Sequence, residues 1–139
     1  MRLRRMALGA AALLALGLGL PAGATPQDPA FGHWLTENGR AIVRIAPCAG
    51  AACGHVVWTE GRGRRCGVTI LGALEREGPG RWAGGYVEDP RDGTRYAARL
   101  RAEGMQLELR GYVGLPLLGR SQTWTRVPDD RGGCPAPGG

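Results

Sequence analysis

Few side chains in this sequence could carry covalent, redox or proton chemistry. There are four cysteines, Cys48, Cys53, Cys66 and Cys134, two histidines, His33 and His55, and one carboxylate run, Glu88, Asp89 and Asp92. A zinc site needs cysteines and histidines at close, paired spacing. No C-x-x-C occurs and the histidines stand alone, so no metal is expected and both imidazoles read as strand-surface groups. The sequence has no G-x-S-x-G, no H-E-x-x-H and no phosphate-cradling glycine loop ahead of a helix. The carboxylates fall in and beside D-P-R-D-G, where aspartate is favoured for the hydrogen bonds it makes within a turn, so they read as turn formers rather than an acid–base pair. The expectation is a protein that is not an enzyme and needs no cofactor.

Binding chemistry is better represented. Trp58, Trp82, Tyr86, Tyr96 and Trp124 are candidate wall residues for a small apolar or amphipathic ligand, with a plain core role as the competing reading for each. Arg62, Arg64 and Arg65, set among glycines, could touch anionic lipid or polymer of a cell envelope, or form a solvated loop. Two function classes follow: a non-catalytic binding module, and an envelope-surface interaction protein with a filled barrel and a basic loop.

Compartment follows from the start of the chain. Arg2, Arg4 and Arg5 precede an apolar run from Met6 to Leu20 and then Pro21-Ala22-Gly23-Ala24, the pattern of a secretory signal peptide over residues 1–24, cleaved near Ala24. The run is short of the roughly 20 residues a membrane span requires. A periplasmic or secreted protein is expected, without a membrane span. Of eighteen basic residues, all arginine, against twelve acidic ones, three leave with the leader, so the net charge falls from +6 to about +3. The remaining arginines are dispersed, and no nucleic-acid partner is expected. In an oxidising compartment the cysteines should form disulfides. Four cysteines allow three pairings. The short A-G-A-A loop favours Cys48 with Cys53, which leaves Cys66 and Cys134 to tie the tail to the domain.

The elements that must position these groups are short strands punctuated by Gly, Pro, Asn and Asp turns. After a lead-in over residues 25–30, strands are expected at Phe31–Thr36, Arg40–Ala46 (ended by Pro47), His55–Thr59, Cys66–Leu74, Arg81–Glu88, Thr94–Arg101, Met105–Arg110 and Gly119–Val127. Asn38-Gly39 is a strong hairpin signal, and Gly84-Gly85 inside a strand implies a bend or a close backbone approach. Tyr112–Leu118 reads as a packed loop or helical turn plugging one end. Residues 128–139 read as a disordered tail. Eight strands joined by tight turns, with an apolar and a charged face, predict an all-β, eight-stranded antiparallel up-and-down barrel over residues 31–127, closed by pairing of the last strand with the first. A five-stranded oligonucleotide-type barrel or small sandwich is the alternative.

Four segments also resemble a known family: G-x-W-L-T-E-x-G-x-A-x-V-x-I-x-P-C from Gly32 to Cys48, C-G-x-V-V-W from Cys53, W-x-G-G-Y with D-P-x-D-G-x-x-Y from Trp82 to Tyr96, and R-G-Y-V-G-L-P-L-L-G-R-S-Q-T-W-T-R-V from Arg110 to Val127. In this order they are similar to domain-of-unknown-function family 2147 of exported bacterial proteins. The resemblance implies a lipocalin-like barrel, a cysteine pair matching Cys48 and Cys53, and no activity. The Arg-rich insert at Arg62–Arg65 and Cys134 depart from the family pattern. Gly32-His33-Trp34 also resembles the G-x-W of a first lipocalin strand. By the same likeness Trp34 and Arg126 form a barrel-closing pair, a cation–π contact of about 0.5 to 2 kcal/mol, with Arg120 as the other possible partner of Trp34.

Overall fold

Period-two alternation along the chain becomes one continuous antiparallel ladder: β1 (Gly32–Leu35), β2 (Ala41–Cys48), β3 (Ala51–Thr59), β4 (Thr69–Gly78), β5 (Arg81–Glu88), β6 (Arg95–Glu103), β7 (Gln106–Tyr112) and β8 (Gly119–Val127). The computed structural model describes residues 9–19, 27–61 and 63–134. Ala24 and most of the expected leader, Arg62 and the last five residues lie outside these. Each strand pairs with its chain neighbour, and β8 pairs back to β1 through Trp34 opposite Arg126, closing an up-and-down barrel. Residues 9–19 lie exposed outside the sheet, and the whole barrel and both disulfides fall within residues 32–134.

Inward side chains fill one half of the barrel. Trp34, Val43, Ile45, Leu71, Leu74, Leu100, Leu107 and Trp124 are buried in a single cluster. β6 and β7 show the simplest case: Ala98, Leu100 and Ala102 face Leu107 and Leu109, while Arg99, Arg101 and Glu108 face water. Met105, the first residue of the expected seventh strand, is exposed in the Gly104-Met105 turn.

Several boundaries differ from the expectations. Pro47 does not end β2; it pairs with Ala52 and the strand continues to Cys48. β1 reaches only from Ile42 to Ile45 along β2, so the edge beside Pro47 has no neighbour that needs its missing N–H. The A-G-A-A segment is an ordered hairpin rather than a flexible loop: Ala49 and Gly50 both take positive φ, 46° and 81°, and Cys48 and Cys53 are bridged beside it. β4 starts at Thr69 rather than Cys66 and runs on to Gly78, four residues past the expected end at Leu74. Gly85 makes the close approach its sequence suggests, since a Cβ there would lie 2.1 Å from the carbonyl oxygen of Gly72.

The tail also differs. Residues 128–134 run in two Asx turns, with Asp129 accepting from the Arg131 N–H and Asp130 from that of Gly132. Arg131 lies over the Trp58 ring at 4.8 Å, and Cys134 is bonded to Cys66. Beneath Trp58 in the register sits Ile42, fully buried yet outside the central cluster. The tail therefore covers a small apolar patch on the outer wall.

Candidate functional site

The two ends of the barrel are built differently. At one end are the turns β2–β3, β4–β5 and β6–β7 together with the lead-in. There Trp34 donates its indole N–H to the Ala30 carbonyl at 2.9 Å. Arg126 stacks over the Trp34 ring at 4.2 Å and donates to the carbonyls of Pro29, Phe31 (2.9 Å) and Gly104 (3.2 Å). Gly32, at φ 127°, makes room, because a Cβ there would lie 2.7 Å from the guanidinium. Phe31 packs tilted against Trp82.

Asp28, a residue that sequence reasoning left in a featureless lead-in, organises this floor. Its carboxylate accepts from the Ala30 N–H, the Trp82 indole, Arg76 and the Gly80 N–H. Burial pushes its pKa up, but these hydrogen bonds outweigh it and hold the group below the ordinary aspartate value. A carboxyl with a depressed folded pKa stabilises the fold above its unfolded pKa, about 3.9, and that contribution is lost as pH falls through the lower folded value. Asp28→Asn is expected to lower stability by about 1.5 to 3 kcal/mol at pH 7, from charged hydrogen bonds. In urea melts the gap to wild type should close below about pH 4; a gap constant down to pH 2.5 would overturn this account.

The other end, formed by the β1–β2, β3–β4, β5–β6 and β7–β8 loops, is open. It leads into a cavity of about 1020 Å³. Val56, Ile70, Val87, Tyr96, Leu109 and Trp124 form its apolar depth, and Arg40, Arg65, Arg91 and Arg120 stand nearer the mouth against two carboxylates, Glu88 and Asp89. Gly111 faces inward without a side chain, and a Cβ there would press on Val87 at 3.1 Å. The Arg91 side chain, and then its backbone N–H, hold Asp89 down to about 2, so this pair stays ionised. Glu88 pairs with Arg95, and Arg40 with Glu60. Among the described residues, Arg65 and Arg120 form no ion pair.

Of the five candidate wall residues, Tyr96 and Trp124 line the cavity. Trp82 points inward but belongs to the floor, bonded to Asp28. Trp58 and Tyr86 face outward: Trp58 lies under Arg131, and Tyr86 covers Gly72 beneath Arg95 at 4.0 Å. Arg120, the other expected partner of Trp34, instead lines the cavity, as does Gln122, which did not stand out in the sequence; both precede Trp124 on the same face of β8. His33 and His55 lie opposite Arg44 on outward-facing register positions, and His55 shares a 2.7 Å hydrogen bond with Thr69. Asp92, like Asp89, accepts from a turn N–H, that of Thr94. Among the described residues no group of three or more His, Cys, Asp or Glu could hold a metal, and no helix is long and apolar enough to cross a membrane. Both disulfides mark an oxidising, extracytoplasmic setting.

Comparison with known proteins bears on the same region. Residues 32–126 match the family described as uncharacterized protein conserved in bacteria (DUF2147). Among solved structures the chain is similar to protein HP1028 from the human pathogen Helicobacter pylori, described as belonging to the lipocalin family. The TM-score is 0.63, over 76% of this chain and 87% of that one, at 17% sequence identity, so the likeness is one of fold. No curated protein matches the chain.

Proposed function

We propose that this chain, which belongs to the bacterial DUF2147 family and folds as a lipocalin-like barrel, is exported with loss of its leader near Ala24 and binds a small amphipathic molecule without transforming it. The observation that carries the reading is the polarity gradient of the cavity. An apolar chain or ring fits against Val56, Leu109 and Trp124, and an anionic head fits beside Arg65 and Arg120 at the mouth. The volume of about 1020 Å³ lies at the upper end of the roughly 300 to 1,000 Å³ typical of ligand sites. The alternative, an envelope-surface protein with a filled barrel, accords less well with an open interior of this size.

A fluorescent acyl probe with a carboxylate head tests this directly. Wild type should bind it more tightly than the matching uncharged alcohol. Arg65→Gln with Arg120→Gln should raise Kd for the acid by about tenfold, as loss of a charge-assisted hydrogen bond does, and leave Kd for the alcohol nearly unchanged. Leu109→Trp, which fills the depth, should abolish binding of both. Probe binding indifferent to Leu109→Trp would sink the cavity reading.

A further inference from the structure

The β7–β8 loop holds four large apolar side chains, Val113, Leu115, Leu117 and Leu118, that are between 64 and 84% exposed. The segment, expected as a packed loop or helical turn plugging one barrel end, does form one helical turn, Pro116–Leu118, but with none of its residues buried. The loop is held in that position. Arg110, on the outer wall, donates to the carbonyls of Pro116 and Leu117 and to the Ser121 hydroxyl. Scattered apolar side chains on a surface need no explanation, whereas a contiguous set fixed in water marks a contact site.

Charge identifies what covers it. Val113 and Leu118 reach the rim of the cavity, where Arg40 and Arg91 are paired with Glu60 and Asp89, and Arg65 and Arg120 form no ion pair among the described residues. An apolar tip bordered by arginine is the composition of segments that seat in the headgroup boundary of an anionic bilayer. We infer that the open end of the barrel docks on anionic lipid, with Leu115 and Leu117 entering the headgroup–acyl boundary and the rim arginines meeting lipid phosphates. The contact does not depend on an occupied cavity. Docked this way, the mouth faces the bilayer, and an amphipathic molecule could pass between lipid and barrel without crossing water.

The test is flotation of the chain from Thr25 onward, which contains the whole barrel and both disulfides, with vesicles of phosphatidylglycerol and phosphatidylethanolamine or of phosphatidylcholine alone. Wild type should float with the anionic vesicles, less so as salt rises, and ignore the neutral ones. Leu115→Ser with Leu117→Ser keeps the charge and touches only exposed side chains; it should weaken partition by about tenfold or more, given the transfer free energy of leucine. As a gain-of-signal check, emission of Leu117→Trp should shift to the blue with anionic vesicles only. Failure of wild type to float, or equal flotation of the double variant, would overturn the inference. So would a concentration-dependent dimer lost in the double variant without any flotation, which would assign the loop to a second copy of the chain. None of these results alters the probe titration, so docking and cavity binding fail separately.

Discussion

Replacing Cys66 and Cys134 by alanine is expected to lower unfolding stability by about 4 kcal/mol, and replacing Cys48 and Cys53 by only about 2, because the loop-closure entropy a bridge removes from the unfolded chain grows with loop length. The sequence separations are 68 and 5. The longer bridge also pins residues 128–134 over Trp58 and the buried Ile42, so its loss should release the tail and make that patch accessible. Equilibrium urea unfolding of the two double variants measures both costs. Equal losses would show that strand geometry, and not chain entropy, sets the value of each bridge.

Trp34→Ala should be the most damaging single substitution in the floor. It removes a fully buried indole, its bond to Ala30 and the face on which Arg126 stacks. Truncation of a large core aromatic costs about 3 to 5 kcal/mol, which in a domain of this size lowers the thermal midpoint by on the order of 15 °C. Arg126 would then have no ring beneath it, and its three backbone acceptors would be held by a side chain free to swing. Trp34→Phe retains a ring and should recover part of the loss. A near-UV circular dichroism melt decides the matter; a drop of under about 3 °C for the alanine variant would mean that the floor repacks around the gap.

The strands themselves were largely legible. β5 and β8 begin and end where turn residues and alternation place them, and the closing of β8 onto β1 follows from having no other use for two half-apolar edges. What could not be read was which face some residues occupy. Counting by twos from Val56 puts Trp58 inside, and counting from Trp82 puts Tyr86 inside; both lie outside. In each case a register shift intervenes, opposite Ile42 and Val43 in β3 and at Gly84 in β5. One extra residue reverses every later side chain in a strand. Gly84 carries a signal of its bulge in its freedom to take φ 77°, whereas Val57 carries none. The same limit explains the β7–β8 loop. Its composition says apolar, and only the three-dimensional position of Arg110 shows that its backbone is anchored to the outer wall. Asp28 was invisible for another reason: its partners are 48 to 54 positions away in sequence as well as two residues on.

Of the four tryptophans two belong to the floor, one to the tethered tail and one to the cavity wall. Trp34 belongs to the Arg126 stack, Trp82 to the Asp28 network, Trp58 to the tethered tail and Trp124 to the cavity wall. Trp34, Trp82 and Trp124 share one buried cluster, and Trp58 stands apart from it on the outer wall. The floor, the tail and the cavity each hold a built-in optical reporter, and single-tryptophan variants would separate their overlapping emission.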